Sequence, residues 1–201
     1  MKIAVVFGSQ RFSSHNRVGK SKEIEEMLTD LNLPHELDFI RMADANIFGC
    51  KHCWGCEGKN ACVVDDDFNS IRKRLIAADA IFLIVPVYAL IPSKLTAVLE
   101  KLTSSSYINS LLSTENTPLH GKKVAIFTYC SCFICEDVTL KAILRKFLVA
   151  DERTGFYKFL TDEYMYNEHA AYSLTYSGLG PDNIFNHDIV EYVKNVALWL
   201  K

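Results

Sequence analysis

Short apolar runs alternate with helical patterns along this chain, and that alternation limits its fold more than any other feature. Residues 3–7 read Ile-Ala-Val-Val-Phe and residues 80–85 are almost wholly apolar, as expected for strands covered on both faces of a sheet. Further strands are predicted at residues 35–42, 122–129 and 154–160. Strands separated by helices predict an α/β fold with a parallel sheet.

Helices are predicted between these strands from apolar residues at helical spacing. The patterns fall at residues 24–31, 68–76, 93–102, 136–149 and 183–200. Five strands without a dinucleotide Gly-x-Gly-x-x-Gly motif predict a flavodoxin-like three-layer sandwich with a five-stranded parallel sheet in the order 2-1-3-4-5. In that architecture, ligands bind at the carboxyl ends of the first and third strands.

Composition limits the function to a soluble domain with no nucleic-acid or membrane partner. The chain has 201 residues, which favours one domain over residues 1–201, with a cysteine-rich insertion at about 47–64. The net charge of −2 includes no long basic block, and no apolar run approaches the ~20 residues of a membrane span. Without a signal-peptide pattern, we expect a cytoplasmic protein whose seven cysteines stay reduced unless they bind metal or do redox work.

Four cysteines lie within thirteen residues and form the cysteine segment (residues 50–62). Cys50, Cys53, Cys56 and Cys62 have the spacing C-x2-C-x2-C-x5-C. Thiolates favour iron–sulfur clusters, zinc or copper(I) over hard cations. The compact C-x2-C-x2-C core is typical of [4Fe–4S] ligation, whereas structural zinc sites more often use two separated pairs. The spacing therefore favours a cluster that moves electrons.

The loop after the first strand is rich in hydrogen-bond donors and leads into a helix. A helix N-terminus offers free N–H groups and a partial positive charge, so a phosphate fits there. The alternative is that the hydroxyl and amide side chains only cap the helix. The candidate phosphate ligands are Ser9, Arg11, Ser13, Ser14 and Asn16.

The loop after the third strand lies at the same predicted edge of the sheet. Pro86 is expected to end that strand, and Tyr88 offers an aromatic face with a polar tip. Backbone groups of Pro86, Val87, Tyr88 and Ala89 are candidates to hydrogen-bond a flat heterocycle. An ordinary connecting loop is the alternative.

The chain resembles the NADPH-dependent FMN reductase family, and within it the iron–sulfur flavoproteins. The resemblance covers roughly residues 1–105 and depends on motifs that occur in one order: Gly8-Ser9-x-Arg11, the cysteine segment, Asp65-Asp66, Ala78-Asp79-x-Ile81 and Pro86-Val87-Tyr88. It implies a flavodoxin-like fold that binds FMN. The phosphate would lie among the first-loop residues and the isoalloxazine ring beside residues 86–89.

The resemblance implies an FMN-dependent oxidoreductase that takes electrons from NAD(P)H or a reduced ferredoxin. Electrons would pass through FMN and a [4Fe–4S] cluster on Cys50, Cys53, Cys56 and Cys62 to an acceptor. The alternatives are a cluster-free NAD(P)H:FMN or quinone reductase, a non-enzymatic flavin electron carrier, and a zinc-binding interaction module. The expected partners are small-molecule donors and acceptors, and a homodimer or homotetramer is expected from the resemblance. No catalytic side chain is assigned.

A second group of cysteines follows the predicted fourth strand. Cys130, Cys132 and Cys135 have the spacing C-x-C-x2-C. Packing as small residues, metal ligation and a redox disulfide all remain open for this group.

Overall fold

The computed structural model describes residues 1–11, 13–14, 17–59, 61–87, 91–110, 119, 123–130 and 171–175. Within these ranges the chain forms seven strands and three helices. The elements are β1 (Lys2–Phe7), β2 (Ser13–Ser14), β3 (Arg17–Val18), α1 (Lys20–Asp30), β4 (Glu36–Arg41), α2 (Phe68–Ala77), β5 (Ala80–Val87), α3 (Ser93–Ser110), β6 (Lys123–Cys130) and β7 (Ala171–Thr175).

The main sheet has the order β4-β1-β5-β6-β7, and each neighbouring pair is parallel. Its first four strands in chain order therefore take the predicted order 2-1-3-4. The strand predicted at 154–160 lies outside the described residues, as do the helices predicted at 136–149 and 183–200. The strand that pairs with β6 is Ala171–Thr175.

Two apolar clusters lie on opposite faces of the sheet because successive residues of a strand point to opposite sides. On one face, Ile24 and Leu28 of α1 pack with Val5 and Phe7 of β1. On the other, α2 and α3 pack with Ala4 and Val6 of β1 through buried side chains that include Phe68, Ile71, Leu75, Leu95 and Val98. These contacts confirm an α/β fold of flavodoxin type. No helix in the described ranges is long and apolar enough to cross a membrane.

Pro86 does not end β5, contrary to the prediction. The strand runs to Val87 and keeps its parallel register with β6. The Ile84 carbonyl oxygen accepts the Gly8 N–H on the β1 side, and β1 ends there. Since strand residues alternate in direction, the Pro86 nitrogen faces that same open side. The missing N–H of proline therefore costs no ladder hydrogen bond.

Ser13 and Ser14 do not cap α1. They form β2, which pairs antiparallel with β3 as a two-residue ladder before the helix. The N-cap of α1 is Gly19, and it makes no side-chain capping bond. The capping interpretation is therefore wrong for Ser13 and Ser14, while Asn16 lies outside the described residues.

Candidate functional site

A crevice is expected at the carboxyl ends of β1 and β5, where the direction of the chain connections reverses. After β1, the chain crosses one face of the sheet through α1 to reach β4. From β4 it returns through α2, on the opposite face, to β5. Ligands bind at such switch points in open α/β sheets. The Gly8 N–H donates to the Ile84 carbonyl oxygen at 2.9 Å and joins the two strand ends.

Gly8 begins the first loop (residues 8–19) at a point where a side chain does not fit. A Cβ placed there would lie 2.9 Å from Leu95 Cδ2 and 3.5 Å from the Ile84 carbonyl oxygen. Leu95 is only 1% exposed, so it has little room to move away. Glycine is therefore required by the packing of α3 beneath the crevice.

We expect Gly8→Ala to destabilise the protein by about 1–3 kcal/mol, the usual cost of overpacking a close-packed region. Urea unfolding measures the change. Gly49→Ala is the matched control, because its Cβ would meet only Glu100 Oε2 at an ordinary 3.7 Å. Equal stability of Gly8→Ala and the wild type would contradict the packing argument.

Ser9 shapes the first loop, and Arg11 is an exposed cation on it. The Ser9 side chain is 2% exposed; its hydroxyl donates to the Arg11 carbonyl oxygen at 2.7 Å and accepts the Arg11 N–H at 3.1 Å. Arg11 is exposed and makes no ion pair with any residue that the structure describes. Gln10 donates from Nε2 to Ser93 Oγ, which ties the first loop to the start of α3.

These features fit an anionic group at the mouth of the crevice. The N-cap of α1 is Gly19, which has no side chain to cap the helix, and Arg11 supplies an exposed positive charge on the loop that leads to it. Pro86 and Val87 form the last two residues of β5, at the same edge of the sheet. Tyr88 and Ala89, also predicted to border the ligand, lie outside the described residues.

The cysteine segment folds tightly, with several residues in the left-handed region. His52 has φ 49°, Trp54 φ 57° and Gly58 φ 64°. His52 and Trp54, one on each side of Cys53, are both left-handed and bend the backbone sharply at this cysteine. Cys53 is exposed, whereas Cys50, Cys56 and Cys62 are half-buried.

The donor set suits a soft metal centre, but the thiols are not drawn together around one point. In the described part of the chain, no three Cys, His, Asp or Glu side chains are placed to hold a metal ion. The cysteines are nevertheless electrostatic neighbours. Burial raises the pKa of Cys56, and the charges of Cys62, Cys50 and Cys53 raise it further. By chemistry the four thiols fit a cluster, and assembling it requires them to move closer.

Polar side chains of α2 and α3 hold the backbone of the cysteine segment. The Cys50 N–H donates to Glu100 Oε2 at 3.0 Å. The Gly58 N–H donates to Asn109 Oδ1 at 3.0 Å. Asn69 makes two bonds to one residue: its Oδ1 accepts the Cys62 N–H at 2.9 Å and its Nδ2 donates to the Cys62 carbonyl oxygen at 2.8 Å.

A buried ion pair fixes the end of this region. Asp66 and Lys101 form a salt bridge in which the side chains are 0% and 1% exposed. The carboxylate also accepts the Phe48 N–H at 3.0 Å and the Phe68 N–H at 3.1 Å. Burial alone would raise the pKa of Asp66, but these hydrogen bonds and the Lys101 charge outweigh it and hold that pKa below its usual value. In the sequence, Asp66 stood out only as part of the Asp65-Asp66 motif of the family resemblance.

The apolar neighbours of the cysteines shield them from water only in part. Ile47 is buried in the core cluster. Phe48 and Trp54 are each 51% exposed, so these two side chains lie at the surface. These two apolar side chains therefore do not shield the thiols from water.

Comparison with known proteins matches the part of the chain that contains the first loop, the cysteine segment and the end of β5. The family model described as NADPH-dependent FMN reductase matches residues 1–134. A curated relative, the iron-sulfur flavoprotein of Methanosarcina thermophila, is 29% identical over 125 residues, which cover 61% of this chain and 59% of the relative. The chain thus spans less than two thirds of that relative.

Solved structures share the fold at low sequence identity. RosB, crystallised with a bound 8-demethyl-8-formylriboflavin-5'-phosphate intermediate, has a TM-score of 0.60 at 17% identity, with coverage of 100% of this chain and 76% of that one. The apo NADH:FMN oxidoreductase EMOB has a TM-score of 0.55 at 15% identity, with coverage of 100% and 90%. The NAD(P)H:quinone oxidoreductase of Methanothermobacter marburgensis has a TM-score of 0.56 at 12% identity, with coverage of 97% and 93%.

Proposed function

Since the chain belongs to the NADPH-dependent FMN reductase family, we propose that it is an FMN-dependent oxidoreductase of the iron–sulfur flavoprotein kind. Electrons would enter from NAD(P)H or a reduced ferredoxin and leave to an acceptor. The observation that carries the proposal is the family match itself, because residues 1–134 include the first loop, the cysteine segment and the end of β5. The name of the Methanosarcina relative supports the iron–sulfur part.

We assign the FMN phosphate to the first loop. The exposed Arg11 side chain and the N-terminus of α1, whose N-cap Gly19 has no side chain, supply positive potential there. Ser9 holds the loop in shape through its two bonds to the Arg11 backbone, and Ser13, Ser14 and Asn16 belong to the same loop. In this proposal the chain binds and orients the phosphate, and no proton is transferred by these side chains.

The flavin ring is assigned to the end of β5, beside Pro86, Val87, Tyr88 and Ala89. Gln10 and Ser93 connect the first loop to the start of α3, so the phosphate and ring sides of the crevice are held together. When bound, FMN would supply two-electron acceptance from a nicotinamide and one-electron release, and a [4Fe–4S] cluster would supply one-electron storage. The chain positions these groups and sets the polarity around them.

Cys50, Cys53, Cys56 and Cys62 are the proposed ligands of the cluster. Each must lose its proton to bind iron, and binding therefore releases protons and weakens in acid. Burial already disfavours the Cys56 thiolate, so the metal must supply the compensating charge at that residue. Arg72 of α2 interacts with the charge of Cys56 and adds positive potential beside it.

A cluster-free reductase of FMN or quinones is the second candidate. It is favoured by one observation, the lack of a converging ligand set among the described cysteines. In that case the four thiols take no part in the reaction. A flavin electron carrier that does not react with NAD(P)H is the third candidate. In each of the three cases we expect a homodimer or homotetramer in the cytoplasm.

Anaerobic purification followed by flavin, iron and sulfide analysis tests the proposal. We expect bound FMN together with about four iron atoms per chain, as in a [4Fe–4S] cluster. Broad visible absorbance beneath the flavin bands is the expected spectrum. FMN without iron would favour the cluster-free reductase, and a colourless protein that refuses added FMN would overturn the whole proposal.

Anaerobic mixing with NADH, NADPH or a reduced ferredoxin identifies the donor. The reductant that bleaches the flavin absorbance on mixing is the electron donor that the protein accepts. Bleaching by neither nicotinamide would support the carrier or a ferredoxin-dependent enzyme.

A further inference from the structure

Three of the four cysteines have a backbone anchor from a helix, and one does not. Glu100 holds the Cys50 peptide, and Asn69 holds both polar groups of the Cys62 peptide. Asn109 holds Gly58 and lies 3.5 Å from the Cys56 carbonyl oxygen through its Nδ2. Among the described residues, no side chain of α2 or α3 contacts the Cys53 peptide.

The anchors belong to helices that the core holds in place. Asn69 is on α2, next to the fully buried Phe68. Glu100 and Asn109 are on α3, which also fixes the chain on either side of the cysteine segment. Lys94 donates to the Ala43 and Ala45 carbonyl oxygens at 3.2 and 2.6 Å, and Lys101 pairs with Asp66. The segment is therefore positioned by protein contacts at both ends and within it.

We propose that Asn69, Glu100 and Asn109 are positioning residues that fix the backbone at Cys50, at Cys62 and in the turn from Cys56 to Gly58 before a soft metal centre binds, so that the four thiols have a shorter way to converge. This inference rests on the iron–sulfur part of the proposed function. Cys53 is the exposed cysteine, and the left-handed residues His52 and Trp54 flank it.

Preformed positions lower the cost of binding because fewer residues must be ordered when the ligand arrives. Zinc fingers behave in the opposite way, since the metal itself supplies their folding free energy. Here the backbone of Cys50, Gly58 and Cys62 is already fixed by hydrogen bonds. Loss of an anchor should therefore weaken metal retention more than it weakens the fold.

The test uses the full chain, stripped of metal and rebuilt anaerobically with Fe²⁺ and sulfide. Removing groups that orient metal ligands commonly costs 10–100-fold in affinity. We expect the chelator concentration that removes half of the iron in a fixed time to fall about 10–100-fold for Asn69→Ala and Asn109→Ala. Thermal unfolding of the metal-free variants is measured alongside and should change little.

Two control variants separate positioning from general effects. Ser70→Ala alters an exposed residue of α2 beside Asn69 and should retain iron like the wild type. Glu100→Gln keeps an oxygen that accepts the Cys50 N–H, so it should retain iron far better than Glu100→Ala. The second comparison shows whether the hydrogen bond to Cys50, rather than the charge of Glu100, retains the iron, and thermal unfolding of the same metal-free variants separates this role from a purely structural one.

The outcomes distinguish this inference from the function on which it rests. If the wild type takes up no iron while it binds FMN, the iron–sulfur part of the function fails and the inference fails with it. If the wild type takes up iron and the Asn69 and Asn109 variants hold it equally well, only the inference is overturned. The inference is also overturned if the Asn69 and Asn109 variants lose iron only in proportion to a lower thermal unfolding temperature of their metal-free chains.

Discussion

Lys101→Met is expected to lower the free energy of unfolding by about 3–5 kcal/mol, the usual cost of removing one partner of a buried ion pair. Methionine keeps the length and apolar stem of lysine but leaves Asp66 with no cation in a site where both side chains are almost inaccessible to water. Among the described residues, the Asp66 carboxylate would then keep only the Phe48 and Phe68 N–H groups as hydrogen-bond partners.

Urea unfolding at neutral pH measures this loss. Lys22→Met is the matched control, because Lys22 pairs with Glu26 at 3.7 Å on the surface, and exposed pairs of this kind contribute about 0–1 kcal/mol. Adding Asp66→Asn to Lys101→Met should recover part of the stability, since the amide is neutral and its oxygen still accepts backbone N–H groups. A Lys101→Met protein as stable as the control would refute the ion-pair argument.

The pH dependence of this difference has a definite sign. The folded-state pKa of Asp66 is lowered, so the carboxylate contributes stability above its unfolded pKa of about 3.9. That contribution is lost as pH falls through the lower folded pKa. Without Lys101, the negative charge of the buried Asp66 carboxylate lowers the stability of the folded state, and protonation of the carboxylate removes that loss. The gap between wild type and Lys101→Met should therefore narrow from pH 7 toward pH 3, and a constant gap would contradict the assignment.

Cys53→Ala is expected to abolish the iron content while FMN remains bound, if the four cysteines hold a cluster. Cys53 is exposed and has no anchoring contact from α2 or α3 among the described residues, so its loss should change folding stability by no more than about 0.5 kcal/mol. Iron and flavin analysis of anaerobically purified protein measures the effect directly. Stoichiometric iron in the variant would show that the ligand assignment is wrong.

Cys132→Ala is the companion variant for this experiment. It removes a thiol outside the C-x2-C-x2-C-x5-C motif, from the second cysteine group. Normal iron content in Cys132→Ala, with none in Cys53→Ala, would assign the cluster to the cysteine segment. Iron loss in both would bring the second group into the metal site.

Local sequence patterns predicted the centre of the fold better than its edges. The strands β1 and β5 are buried on both faces, and that burial is visible as an unbroken apolar run. The end of β5 was misplaced because the usual effect of proline was assumed, whereas the direction of the Pro86 nitrogen depends on the neighbouring strand. The strand Ala171–Thr175 alternates small residues with Tyr172 and Leu174, and it has no unbroken apolar run of the kind that marks β1 and β5.

The cysteines of the candidate site were found from their spacing, but the residues that hold them were not. Asn109 lies 53 positions from Cys56, and no local pattern links the two. It also stands in a Ser- and Thr-rich stretch after residue 102, where helix propensity is low and the helix was predicted to end. In the fold, α3 continues to Ser110 and buries Ile108 and Ser105. Tertiary packing overrides propensity at this point.

One helix contacts both the first loop, where the FMN phosphate is proposed to bind, and the cysteine segment. Its first residue, Ser93, bonds to Gln10 of the first loop, and Glu100 bonds to Cys50. These two contacts are seven residues apart on α3, which corresponds to about 10 Å along a rigid helix. Such a rigid element would keep the proposed phosphate site and the proposed cluster site at a constant spacing while the surrounding loops fluctuate.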